Sequence, residues 1–145
     1  MAVIKRVRQK EIFMGKLRHG ADLLEEITGI CKEREIRLGR IEAIGAVRKA
    51  CTGFYDQKRR EYEYITIDQP LEIANLTGNI SIRDGSPMVH AHVTFSDSTG
   101  KTYGGHLAPG TIVFACELAI ETLDGPALER RFDQETGLPL WDMQE

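Results

Sequence analysis

Three of the four histidines in this 145-residue chain fall within 17 residues of one another, in the segment PMVHAHVTFSDSTGKTYGGHLAPG. His90 and His92 are two positions apart, so on a β-strand both imidazoles leave one face while Val89, Ala91, Val93 and Phe95 leave the other. Asp97-Ser98-Thr99-Gly100 fits a type I turn with glycine in the left-handed position, the three-residue loop of a tight hairpin. That loop pairs Asp97 with Lys101 and, counting back, Phe95 with Tyr103, His92 with His106 and Ala91 with Leu107. The register is self-consistent because it gathers Val93, Phe95, Tyr103 and Leu107 on one apolar face. His92 and His106 are then cross-strand neighbours with Cβ atoms about 4.5–5.5 Å apart, and His90 lies beside them. Three imidazoles on rigid strands are the ligand set of a catalytic-type zinc site, with metal–nitrogen bonds of about 2.0–2.1 Å and a fourth position for water or a carboxylate. His90, His92 and His106 are therefore the expected metal ligands, and Zn²⁺ or a similar divalent transition metal the expected ion. Gly104 and Gly105 are expected to leave room beside His106.

A carboxylate would complete such a sphere or act as acid or base. Glu117 is the candidate catalytic residue, because a charge inside IVFACELAI is expensive without a partner. Alternation groups it with Val113, Ala115 and Ala119 and leaves its face open. Asp97 is expected to shape its turn, and His19, in a loop beside Gly20, to be ordinary surface.

The elements that must position these groups follow from local signals. A helix is expected from Asp22, an N-cap type three residues before Glu25, to about Arg34, with Leu23, Leu24, Ile27, Ile30 and Cys31 as its apolar stripe. Stretches rich in Ile, Val, Thr and Tyr read as strands at 40–50, 53–55, 61–67, 71–76, 79–83, 88–96, 101–107 and 111–123. Turn chemistry separates them, including Asp68-Gln69-Pro70, Thr77-Gly78-Asn79 and Ala108-Pro109-Gly110. Arg130-Arg131 belongs to a last short strand that a tail follows. One helix among many hairpin-spaced strands is an α+β fold with a mostly antiparallel sheet. The expected organisation is one domain over 10–131, an N-terminal extension over 1–9 and a C-terminal tail over 132–145.

Composition narrows the function classes. Apolar residues make up 41% and charged ones 28%, enough for a real core and unlike a disordered chain. The net charge of −3 divides unevenly: residues 1–60 hold 15 Lys and Arg against 8 Asp and Glu, and residues 61–145 hold 4 against 14. A DNA-binding role would have to use the first part alone. The two charge sets are expected to face each other across the fold or a subunit contact, or to be solvated. Cys31, Cys51 and Cys116 are too few and scattered for a disulfide framework and read as buried thiols of a reducing compartment. MAVIKRVRQKEIF lacks the apolar stretch of a signal peptide, and Thr111–Ile120 is too short to span a bilayer, so a cytoplasmic setting with no membrane partner is expected.

At these residues the chain resembles the plants-and-prokaryotes-conserved (PPC) domain in its stand-alone prokaryotic form. The likeness runs from Gly20-Ala21-Asp22-Leu23 through Ile44-Gly45-Ala46-Val47, Gly53-Phe54-Tyr55 and Leu76-Thr77-Gly78-Asn79-Ile80 to Val89-His90-Ala91-His92-Val93 and Gly104-Gly105-His106-Leu107. The resemblance implies an antiparallel sheet, as a partial barrel packed around one helix, assembled as a homotrimer, with His90, His92 and His106 at the family's metal site. Plant members carry an AT-hook for A·T-rich DNA; here Gly39-Arg40-Ile41-Glu42 lacks the second arginine and the proline of that hook. The fold also looks like that of α-acetolactate decarboxylase, whose zinc is held by histidines on strands. Two functions are therefore carried. The first is a trimeric metal-binding module that serves a binding or regulatory role, with weak DNA or another regulatory protein as partner. The alternative is a zinc-dependent lyase or hydrolase acting on a small 2-hydroxy or 2-keto carboxylate, and a carboxylate beside the histidines would favour it.

Overall fold

The computed structural model describes residues 2–143. Nine strands and one helix follow one another as β1 (Arg8–Lys16), α1 (Leu23–Glu33), β2 (Gly39–Asp56), β3 (Glu61–Ile67), β4 (Leu71–Arg83), β5 (Ser86–Ser96), β6 (Thr102–Leu107), β7 (Ile112–Asp124), β8 (Arg130–Phe132) and β9 (Pro139–Trp141). Seven of the strands form one antiparallel sheet in the order β1-β7-β2-β4-β5-β6, with β3 on the far half of β2. β2 is long enough to lie first between β7 and β4 and then between β3 and β6. The contact of β2 with β6 covers only Thr52–Leu107 and Gly53–His106, so the sheet curls toward itself without forming a clear barrel. The fold is α+β, mostly antiparallel, with one helix.

The helix starts where its cap dictates. Asp22 accepts hydrogen bonds from the backbone N–H groups of Leu24 and Glu25, and its second oxygen accepts from Gly110 N–H, tying the helix start to the loop before β7. Leu23, Ile27 and Cys31 are fully buried against the inner face of the sheet, where Leu76, Ile80, Val93, Phe95 and Ile120 complete the core. Among the described residues no helix is long and apolar enough to cross a membrane. Cys31 and Cys116 are buried and Cys51 half-buried; burial pushes the first two thiols up to about 11, which keeps them protonated and inert.

Three local expectations need correction. Thr77-Gly78-Asn79 is no turn: it runs through the middle of β4, with Gly78 opposite Ala91. A Cβ at Gly78 would come within 2.6 Å of the His90 carbonyl and 2.8 Å of the Ala91 Cβ, so the glycine serves close strand approach rather than reversal. The segments read as separate strands at 40–50 and 53–55 are likewise one strand, β2. Beyond β8 the chain forms a further strand instead of only a tail: β9 pairs with β8 from Arg130–Trp141 to Phe132–Pro139.

Candidate metal centre

The β5–β6 hairpin has the register its loop dictates. Gly100 adopts φ 82°, its N–H donates to Asp97 O at 3.0 Å, and Asp97 N–H donates to Lys101 O at 2.9 Å. Asp97 also accepts from Thr99, Lys101 and the Tyr103 hydroxyl, so its carboxylate is spent on the turn. His92 therefore pairs with His106, and Phe95 with Tyr103. Val93, Phe95 and Leu107 face the core while the histidines take the opposite face.

That opposite face carries continuous rows of side chains across the sheet. One row reads Glu121, Arg40, Asn79, His90, and the next Ala119, Glu42, Thr77, His92, His106. The ligand nitrogens of His90, His92 and His106 all lie within 4.8 Å of one another. Ring centroids are 5.3 Å apart for His90–His92, 5.0 Å for His90–His106 and 5.6 Å for His92–His106. The two glycines before His106 act differently from expectation. Cβ atoms on Gly104 and Gly105 would strike the carbonyls of Val93 at 2.7 Å and Gly53 at 2.8 Å, so they bring β5, β6 and β2 close rather than leaving space at the imidazole.

Burial and nearby charge favour the uncharged form of two of the three imidazoles, His90 and His106. His90 is pushed down to about 4, first by burial and then by Arg130, His106 and His92. His106 is lowered by burial, then by His92 and Arg130. Neutral imidazoles are the form that binds a metal ion. His106 Nδ1 is buried and has no hydrogen-bond partner, an orphaned polar atom on one of the three converging rings. The donor set and the orphaned nitrogen both fit a resident metal ion.

Glu117 stands elsewhere. It is exposed on β7, between Lys16 of β1 and Ile44 of β2, and three strand steps separate β7 from β5, about 14 Å along the sheet. The alternation that its neighbours obey turns it to solvent, which removes the cost that drew attention to it. His19 is exposed and donates from Nδ1–H to Phe114 O at 2.8 Å.

Sequence reasoning missed two groups at the cluster. Tyr62 of β3 lays its ring 4.8 Å from that of His106 and contacts Tyr55 and Tyr64 on its other sides. Arg130, 9% exposed, donates from Nε to Ser81 Oγ, from Nη1 to Pro139 O and from Nη2 to Asn79 Oδ1, and reaches within 3.4 Å of His90 Nδ1. Trp141 covers its guanidinium at 5.7 Å. Both signals were present: Tyr62 and Tyr64 alternate with acids as one face of a strand, and Arg130 is among only four basic residues after residue 60. A cleft of about 370 Å³ opens beside the cluster, lined by Tyr55, Tyr62, His90, His106, Arg130 and Pro139 among others.

Comparison with known proteins is consistent with this site. A metal-containing protein of Archaeoglobus fulgidus is similar over 97% of this chain and 99% of its own, at 41% identity and a TM-score of 0.92. A plant- and prokaryote-conserved protein of Pyrococcus horikoshii is similar over 99% of both chains, at 30% identity and the same TM-score. A candidate DNA-binding protein of Bacteroides thetaiotaomicron follows at 26% identity, a TM-score of 0.85 and coverage of 94% and 97%. Acetolactate decarboxylase of Bacillus subtilis subspecies spizizenii, at 16% identity and a TM-score of 0.53 over 76% of this chain and 52% of its own, shares the fold alone. Among curated proteins, the bifunctional protein GlmU of Synechococcus sp. strain JA-3-3Ab is 30% identical over 121 residues. Those residues are 83% of this chain but 18% of GlmU, so the chain spans about a fifth of the length of the curated relatives it matches. The model of the Plants and Prokaryotes Conserved (PCC) domain matches residues 4–124, and the chain belongs to that family, the one written PPC above.

Proposed function

We propose that this protein is a metal-binding module of the PCC family, which holds Zn²⁺ or a similar divalent ion through His90, His92 and His106 and serves a binding or regulatory role, with weak DNA binding through its basic first part. The convergence of three imidazoles, one of them with a buried, unpartnered nitrogen at His106 Nδ1, carries the reading. A bound ion would supply Lewis acidity beside the cleft. The chain's own residues hold the ligands: the β5–β6 register aligns His92 with His106, and Tyr62 supports the His106 ring. The metal-containing relative from Archaeoglobus supports it, and the match to a stretch of GlmU supports a module that also serves within larger proteins. Metal analysis of protein purified without chelator should find close to one ion per chain, lost in His92→Ala; a metal-free wild type overturns the reading.

The enzyme alternative, a lyase or hydrolase of a small carboxylate, needs an acid or base at the metal, and Glu117 lies too far along the sheet to serve. DNA binding is supported by the names of relatives and by the basic first part of the chain. A gel shift at low salt, weakening steeply as salt rises, is its test. A homotrimer is supported by the exposed apolar side chains Met14, Ile44 and Phe114 at the β1–β7–β2 end of the sheet. Light scattering should then give a mass three times that of the chain, and a monomer at micromolar concentration removes that part.

A further inference from the structure

Arg130 is a buried cation without a counter-charge. It takes part in none of the ion pairs among the described residues, and its hydrogen-bond acceptors, Ser81, Asn79, the Pro139 carbonyl and, at 3.4 Å, His90 Nδ1, carry no negative charge. Neutral acceptors satisfy its donors but not its charge, and a desolvated charge is costly until something opposite in sign comes beside it. The cleft it lines makes the imbalance larger. Arg60 lines the same cleft, as do Arg83, which is paired with Asp84, and Glu61, which is paired with Arg59. Arg60 itself donates to the Gln134 and Glu135 carbonyls, again neutral. Opposite this charge stands an apolar wall of Tyr55, Tyr62, Leu138 and Pro139.

We propose that this cleft binds a small organic carboxylate with a branched or flat apolar body, its carboxylate against Arg130 and its body against Tyr62 and Pro139. A cleft of about 370 Å³ lies at the small end of ligand sites and suits a metabolite rather than a polymer. The guanidinium is already fixed by three hydrogen bonds and by Trp141, so little ordering remains when the anion arrives. Five guanidinium N–H groups less these three bonds and the Nη2 contact to His90 Nδ1 leave one Nη1 donor for the ligand. The inference deepens the binding-module reading and rests on it for the ion beside the cleft, while the guanidinium stands in either case.

The test titrates 2-oxoisovalerate into zinc-loaded and chelator-treated protein, by calorimetry and by the fluorescence of Trp141, the chain's one tryptophan. Saturable binding to the zinc-loaded protein is expected, weaker but present after chelation. Arg130→Met should weaken it by about thirtyfold or more. Arg131→Met, at the exposed neighbour paired with Asp142, should change it less than about twofold. Arg130→Lys keeps the charge and, should the methionine variant not fold, carries the test by retaining binding within about tenfold. The uncharged methyl ester should not bind, and inorganic phosphate should bind at least about tenfold more weakly, since it has no apolar body. No binding to wild type, equal binding of the ester or of phosphate, or loss of binding in a folded Arg130→Lys overturns the proposal. Zinc binding without oxoacid binding refutes this inference and leaves the metal reading; oxoacid binding without zinc binding does the reverse.

Discussion

One face of the sheet presents two regions that look alike in outline and differ in chemistry. At the β4–β5–β6 end, three imidazoles, Arg130 and Tyr62 converge on a cleft of about 370 Å³. At the β1–β7–β2 end, a larger cleft of about 550 Å³ holds Met14, Ile44, Glu42 and Glu117, and among the described residues no group of three metal-ligating side chains forms there. Volume favours the second region and convergence the first. The difference teaches that a lone polar residue in an apolar strand is ordinary when alternation turns it outward, whereas groups paired across strands in register make a site.

The largest effect expected from breaking that contrast is on metal affinity. His106→Ala should lower zinc affinity by about a hundredfold or more, as loss of one of three ligands, whereas Glu117→Gln should change it less than about twofold, measured by competition with a chelating dye. Equal effects at both positions would erase the distinction between the two regions. Stability separates the inner face from the outer one. Leu76→Ala, at a position with no exposure, should cost about 3–4 kcal/mol in urea unfolding, against less than about 0.5 kcal/mol for Met14→Ala, which is 83% exposed, in the unassembled chain.

A pH effect of intermediate size follows from His90. Its folded pKa, pushed down to about 4, lies below the ordinary value of 6.5, so protons bind the unfolded chain more readily. The stability this histidine contributes is complete above the unfolded pKa and is lost as pH falls from about 6.5 toward 4, to the extent of about 1–2 kcal/mol once partial solvent screening is allowed for. In metal-free protein, His90→Gln should flatten the urea midpoint across that range; an unchanged slope would show that His90 is as solvated as a free imidazole. An effect of the same size concerns the helix. Asp22→Ala removes a cap bonded to two helix N–H groups and to Gly110, and should cost about 1–2 kcal/mol without altering zinc binding.

What the sequence made legible follows from how local each signal is. The histidine cluster was readable because a three-residue loop fixes the register of β5 with β6, and two-residue spacing fixes the face. The helix was readable from its cap and its stripe. β1 was not, because Arg8–Lys16 is exposed at every position but Phe13 and becomes a strand only through its pairing with β7. Gly78 misled because a glycine between polar residues has turn chemistry, while its actual cause, the closeness of His90 and Ala91 on β5, is a tertiary fact. Arg130 reaches the site from 40 residues away through the parallel bridge of Glu129 with Ile82, a contact that no local pattern announces.

The central claim is that the three histidines hold one metal ion. Anomalous scattering at the zinc edge, from crystals of protein purified without chelator and soaked in zinc, tests it most directly. The account predicts one strong peak per chain, bonded to His90, His92 and His106. No peak at the three imidazoles, or a stronger one beside Glu117, would contradict it.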